Sequence, residues 1–189
     1  MPVYAAGSGP RALAAAGAMA DGVFVNYGLQ AAHVAQARTA LVDGVRIAGR
    51  GPDDVDDWWI ACLDVSERRE AAFEKLGNIL GFVAAYVVGP DPTGRGVPAE
   101  LVPAIHEMRR TYTTRRADMD PALLHRLGLF DYLRRRLAVA GTPEDCIEQV
   151  RAARAAGARN LMFTVSLAAD PEQTVELFGK EVLPAIGRD

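Results

Sequence analysis

The chain has 189 residues, half of them hydrophobic, and a formal net charge of −3 from 21 basic and 24 acidic side chains. That balance leaves no excess of positive charge to draw nucleic acid or an anionic membrane, and no apolar stretch approaches the ~20 residues of a membrane-spanning helix. The N-terminus lacks the basic and apolar regions of a secretion signal, and two isolated cysteines, Cys62 and Cys146, fit a reduced cytoplasmic protein better than a disulfide scaffold.

In chain order, Val3 to Ala6 is a short strand candidate, followed by Gly7-Ser8-Gly9 and then Pro10 at a helix start, where its missing N–H costs nothing. The helix runs to about Ala20, and Asp21-Gly22 is a turn. "VFVNY", Val23 to Tyr27, reads as a second buried strand. A helix from about Gln30 to Ala48 places Val34, Ala37, Leu41 and Val45 at near-helical spacing. "GRGPDD" is a loop, and "WWIACLDV", Trp58 to Val65, is a third strand rich in aromatic and aliphatic residues.

Ser66 is the expected cap of a long helix whose stripe is Ala72, Leu76, Ile79, Leu80 and Val83. "GPDPTGRG", Gly89 to Gly96, cannot continue that helix. An irregular helical region follows from about Pro98 to Ala138, broken near Asp118 to Pro121 and at Gly128; with the turn it forms an expected insert over 89–138. Thr142-Pro143-Glu144-Asp145 is a cap, a proline and two acids, so a helix starts there and ends at Gly157. "RNLMFTV", Arg159 to Val165, is a fourth strand, and Pro171 to Ile186 is the last helix.

Strands that are near-continuously apolar and alternate with helices predict a parallel α/β sheet covered on both faces. Four such units fit either an open doubly wound sheet or half of an eight-unit barrel, since a complete barrel needs ~250 residues. The glycine turn admits three readings. Gly7, Gly9 and Ala12 satisfy G-x-G-x-x-A, but a dinucleotide site also wants an acid at the end of the second strand. That strand ends on Asn26-Tyr27, and Asp21 precedes it at the wrong edge of the sheet. The turn is otherwise a tight backbone turn, or an anion cradle of another kind at a helix start.

Four segments in order, "PVYAAGSGPRALAAAGAMADGVFVN", "AGRGPDDVDDWWIA", "AGTPEDCIEQVRAARAAGARNLMF" and "DPEQTVELFGKEVLPAI", resemble the C-terminal half of the bacterial luciferase-like oxidoreductases. The branch they are most similar to is that of methylenetetrahydromethanopterin reductase and other coenzyme F-420 enzymes. The resemblance covers Pro2 to Ile186. It implies the C-terminal half of a (β/α)₈ TIM-type barrel, one partial-barrel domain over 1–189, with coenzyme F-420 or FMN at the C-terminal ends of the strands. It further implies that Ala5, Ala6, Gly7, Ser8 and Gly9 line the cofactor site, with Asn26 beside them. The chemistry implied is hydride transfer between cofactor and a small organic substrate. The family's N-terminal half is absent from this sequence, and no catalytic acid or base is assigned, since the best candidates would lie in that half. The chain then reads as a cut before the barrel's fifth strand, or as a half-barrel that pairs with itself or with a missing N-terminal half. A binding or assembly module without catalysis is the alternative.

Other constellations read more plainly. Asp53, Asp54, Asp56 and Asp57 precede the third strand, at the bottom of a parallel barrel, and read as a solvated loop rather than a metal site. His33, His106 and His125 lack metal-ligand spacing, though the last two lie in the insert and could overhang a substrate. Arg109, Arg110, Arg115 and Arg116 could grip a phosphate, but they and Arg134 to Arg136 read as solvated helix faces. Trp58 and Trp59 point to opposite faces of one strand, one into the core and one against a helix, and Cys62 is a buried small hydrophobe.

Overall fold

A computed structural model of the chain describes residues 1–113, 115, 120 and 122–187. The first units follow the apolar pattern. Strand β1 (Tyr4–Gly7) passes through Ser8-Gly9 into helix α1 (Pro10–Met19), and β2 (Gly22–Val25) leads to α2 (Ala31–Ile47). The central strand β3 (Asp56–Val65) is ten residues long. Helices α3 (Arg69–Phe73), α4 (Leu76–Val87), α5 (Val102–Thr111), α6 (Leu123–Arg126) and α7 (Phe130–Leu137) come next. Strand β4 (Ala138–Gly141), helix α8 (Pro143–Ala155), β5 (Asn160–Thr164) and α9 (Pro171–Leu177) complete the order, with a π-helical segment (Phe178–Val182) running into α10 (Leu183–Ile186).

Every strand pairing is parallel, in the order β1-β2-β3, with β4 and β5 both on β3. Trp58 and Trp59 face β2 on one side and β5 on the other, while Cys62 faces both β4 and β5. A strand has two edges, so β4 takes up the edge of β3 where β2 stops. This short strand departs from the expectation of helix up to Ala138. "AVAG" is four small residues without period, and its strand character comes from pairing with Cys62–Val65.

Paired residues share a face, and the faces alternate along each strand. Val23, Val25, Trp59, Ala61, Leu63, Val65 and Val139 join α1, α2 and α8 in one core with Phe178 and Val182. Helices α1 and α2 approach so closely that a Cβ on Gly44 would stand 1.9 Å from the carbonyl oxygen of Ala14. Among the described residues the opposite face is covered only at its C-terminal end, where Cys62, Ala138 and Ala140 meet α4 and α7 in a second core. Elsewhere it is open: Tyr4 is 40% exposed, Trp58 37% and Met162 36%. Trp59 is therefore the core tryptophan, and Trp58 lies on the uncovered sheet rather than against a helix.

Two further expectations are corrected. Asp56 and Asp57 belong to β3 instead of a solvated loop. Asp56 accepts hydrogen bonds from Tyr4 Oη at 2.7 Å, Trp58 Nε1 at 2.7 Å and Asn160 Nδ2 at 3.3 Å, which ties β1, β3 and β5 at the bottom of the open face. Ser66 caps nothing. Its hydroxyl donates to Gln173 at 3.2 Å, and the helix begins at Arg69 and breaks at Glu74-Lys75. The cap at Thr142 forms as expected, with Thr142 and Asp145 exchanging hydrogen bonds. Arg116 and the break at Asp118 to Pro121, Asp120 aside, lie outside the described residues.

Candidate active site

The C-terminal ends of parallel strands are where such sheets place their ligands, and here the glycine turn stands at that end. Gly7 closes β1, and its carbonyl accepts from Asn26 N at 2.9 Å, which sets the ends of β1 and β2 side by side. Asn26 Oδ1 is buried without a hydrogen-bond partner among the described residues, and such an atom costs ~1–3 kcal/mol unless a ligand or water satisfies it. Gly9 is the N-cap of α1 in an extended conformation, and no side chain accepts from the first turn. The first amides of a helix have no acceptor within it, so they are free for an anion. Arg11 sits in that same turn, which contains no acid. The helix dipole would favour an acid there.

Of the six residues expected to line a cofactor, Gly7, Ser8, Gly9 and Asn26 come together in this corner. Ala5 packs toward the helix-covered core, and Ala6 stands on the open face. A cleft of about 530 Å³ opens over the turn, between Ser8 to Ala12 and the loop at Pro90 to Arg95.

That loop, Gly89 to Gly96, is built onto the site, though its sequence predicts only a turn. Gly94 O accepts from Gln36 Nε2 at 2.8 Å and Tyr27 Oη at 3.4 Å. Arg95 O accepts from Arg136 Nη2 at 2.8 Å. Gly96 O accepts from Tyr132 Oη at 3.1 Å and lies 3.2 Å from His33 Nε2. Gly94 and Gly96 hold φ of +72° and +67°, a conformation that β-carbons disfavour.

The anchor is Arg136, which is fully buried, contrary to the expected solvated face for Arg134 to Arg136. Its Nε donates to Tyr27 O at 2.9 Å and its Nη1 to Tyr132 Oη at 2.6 Å, and its guanidinium lies 5.1 Å from the centre of the Tyr27 ring. A run of three arginines marks a helix but does not say which of them turns inward. His33 is 5% exposed. Burial first, then the nearby Arg136 charge, pushes its pKa down to about 4, so it is neutral and adds no second cation there.

The remaining candidates fall elsewhere. His125 stacks on Phe130 at 3.9 Å between ring centres, and His106 is exposed on α5. Arg109 donates to Ala85 O and Arg110 pairs with Glu107, so both serve the helices. Cys62 is buried, and burial pushes its thiol up to about 12, which leaves it inert. No group of acidic, cysteine or histidine side chains with metal-binding geometry occurs among the described residues, and no helix among them is long and apolar enough to cross a membrane.

One titratable group escapes the sequence pattern. Asp64, near the C-terminal end of β3, is 1% exposed. Its Oδ2 accepts from Ala169 N at 2.8 Å, and Thr174 Oγ1 lies 3.5 Å from Oδ1. Burial pushes its pKa up to about 6. A lone carboxylate inside "IACLDV" was the available signal.

The sequence matches the family model described as luciferase-like monooxygenase over residues 1–160. It is 25% identical to the 5,10-methylenetetrahydromethanopterin reductase of Archaeoglobus fulgidus over 98% of this chain and 54% of that relative. It is 28% identical to the F-420-dependent glucose-6-phosphate dehydrogenase of Nakamurella multipartita over 98% of this chain and 48% of that relative. The chain thus spans about half the length of the curated relatives it matches. In fold it resembles the coenzyme F-420-dependent tetrahydromethanopterin reductase of Methanopyrus kandleri, with a TM-score of 0.73 at 24% identity, over 99% of this chain and 51% of that one. An all-parallel sheet with one open face, matching half of a larger α/β enzyme, fits the expected half of a barrel.

Proposed function

The chain belongs to the luciferase-like monooxygenase family, and from that premise we propose that it is the C-terminal, cofactor-binding half of a flavin- or deazaflavin-dependent oxidoreductase. Coenzyme F-420 or FMN would supply hydride or electron chemistry at its ring. This chain's part is to hold the phosphate-bearing portion and shield it from water.

The carrying observation is the corner formed by Gly7, Ser8, Gly9 and Asn26. It offers first-turn amides without a capping side chain and a buried amide oxygen without a partner, at the ligand end of a parallel sheet. Those donors and that acceptor suit a phosphoryl group and a neighbouring hydroxyl. Ala5 and Ala6 would contribute backbone contacts. The substrate is a small organic molecule, and the cysteine usage favours the cytoplasm. Spectrophotometric titration with FMN and with coenzyme F-420 tests the reading; a complete gene product that binds neither would refute it.

The open sheet face supports a second reading, that the half-barrel associates through its free edges. Strands β1 and β5 each leave one edge unpaired among the described residues, and Tyr4, Trp58 and Met162 stand exposed on the face between. A second copy or an N-terminal half would cover both. Such a module need not be catalytic. Light scattering of the chain at low concentration tests it, and a well-folded strict monomer would count against it.

A further inference from the structure

Arg95 is delivered to the glycine turn with more structure than a surface loop needs. The three consecutive carbonyls of Gly94, Arg95 and Gly96 are each held by side chains from the β2–α2 segment and from α7. The backbone of Arg95 is thereby held beside the glycine turn, within reach of its side chain. Its Nη1 donates to Ser8 O at 2.6 Å and to Val87 O at 3.1 Å. A Cβ on Gly9 would stand 2.3 Å from that same nitrogen, so Gly9 makes room for a guanidinium. Nε and Nη2 make no hydrogen bond to a described residue, and no carboxylate of the described residues forms an ion pair with Arg95.

The charges around the cleft are few. Arg11 and Arg95 are cationic, and the start of α1 adds the positive end of its dipole. Among the described residues Asp91 is the one acid lining it; its Oδ1 accepts from Thr93 N at 2.9 Å, and that bond first, then more weakly the Arg95 charge, holds its carboxyl below the usual carboxylate range. Two cations and a helix N-terminus outnumber this single carboxylate, so the cleft keeps an excess of positive charge that an anion would offset.

We infer that Arg95 is the residue that recognises the phosphoryl group of the cofactor, clamping it against Ser8, Gly9 and the first turn of α1. The inference takes its ligand from the cofactor reading, while its geometry stands apart from it. FMN and coenzyme F-420 both carry a phosphoryl group, and a planar guanidinium offers it paired, charge-assisted donors.

Inorganic phosphate titrated into the ¹⁵N-labelled chain is the direct test. The expected result is saturable shifts at the amides of Ser8, Gly9, Arg11 and Arg95. Arg95→Met weakens that binding at least about tenfold, and Arg95→Lys, which keeps the charge, falls between. Absence of saturable shifts at these amides in the unmodified chain overturns the inference, whether or not the variants fold.

A second arm compares FMN with riboflavin, which has the same ring and no phosphoryl group, and runs coenzyme F-420 alongside. FMN is expected to bind at least about tenfold more tightly than riboflavin, with the preference collapsing in Arg95→Met while riboflavin binding holds. A preference retained in Arg95→Met overturns the role of Arg95 and leaves the proposed function standing. Phosphate shifts in the chain, with no binding of FMN or coenzyme F-420 by the complete gene product, support Arg95 as an anion receptor and refute the proposed cofactor.

Discussion

Arg95 Nη1 donates to the carbonyl oxygen of Ser8 at 2.6 Å across 87 positions of sequence. This bond joins the two loops that bound the cleft, and it exists because Arg136, buried beneath, holds the backbone of Arg95. The candidate site is therefore a property of the sheet end and the Gly89 to Gly96 loop together.

Arg136 is the residue on which that union rests. Replacing it with Met removes a charge from the interior but leaves Tyr27 O, Arg95 O and Tyr132 Oη without their donor. Buried polar groups left unpaired cost ~1–3 kcal/mol each. Urea unfolding of Arg136→Met is expected to show a loss of ~2 kcal/mol or more, with faster amide exchange concentrated at Gly94 to Gly96. Arg136→Lys does not restore it, because an ammonium lacks the fork that reaches three acceptors. Unchanged exchange in the loop contradicts the anchoring role.

Two closely approached glycines, Gly44 and Gly9, should separate structure from site. A Cβ at Gly44 meets backbone of α1 at 1.9 Å, so Gly44→Ala must push the helices apart, at ~1–3 kcal/mol or more. A Cβ at Gly9 meets the far end of the Arg95 side chain, which can swing away. Its backbone, at φ −168°, suits any residue. Gly9→Ala is expected to unfold within ~1 kcal/mol of the parent yet bind phosphate as weakly as Arg95→Met. Equal effects of both substitutions on the urea midpoint would contradict this division.

Asp64 gives the fold a pH signature. Its pKa is pushed up from 3.8 to about 6 by burial, so the folded chain holds this proton more tightly than the unfolded chain. The associated stability is fully present below about pH 4 and is lost as pH rises through 6. The shift corresponds to at most ~3 kcal/mol. Asp64→Asn keeps an acceptor for Ala169 N–H and never ionises. Its urea midpoint is expected to exceed the parent's at pH 8 and to converge with it toward pH 4. A parent that gains stability over Asp64→Asn between pH 5 and 8 contradicts the account.

Much of this fold is legible in the sequence where local chemistry decides it. Thr142, Pro143 and Asp145 announce α8 because cap, proline and capping acid lie within four residues. Gly7-Ser8-Gly9-Pro10 marks a strand-to-helix turn for the same reason. What sequence hides is what distant residues decide. Ser66 carries the chemistry of a cap, and Gln173, 107 positions away, takes its hydroxyl. Ala138–Gly141 is a strand only because Cys62–Val65 lies beside it. Arg136 differs from Arg134 and Arg135 only in the direction it faces. Arg95 lies in a stretch that composition marks simply as a turn, so the cleft could not be foreseen from either of its two walls.

The uncovered sheet face yields an expectation of its own. Trp58 and Met162 contribute exposed apolar surface, and each large apolar side chain removed from water is worth roughly 1.5–3 kcal/mol. Met162→Lys is expected to leave the urea midpoint near that of the parent while reducing self-association in light scattering. A parent that remains monomeric at high concentration, with the variant indistinguishable from it, contradicts association through this face.

The central claim is that the corner of Gly7, Ser8, Gly9 and Asn26 holds a flavin or deazaflavin. Equilibrium titration of the complete gene product with FMN and with coenzyme F-420, followed by visible absorbance, tests it most directly. Saturable binding of at least one, weakened at least about tenfold by Asn26→Ala combined with Gly9→Ala, is the predicted result. Binding of neither cofactor, or binding untouched by that double substitution, contradicts it.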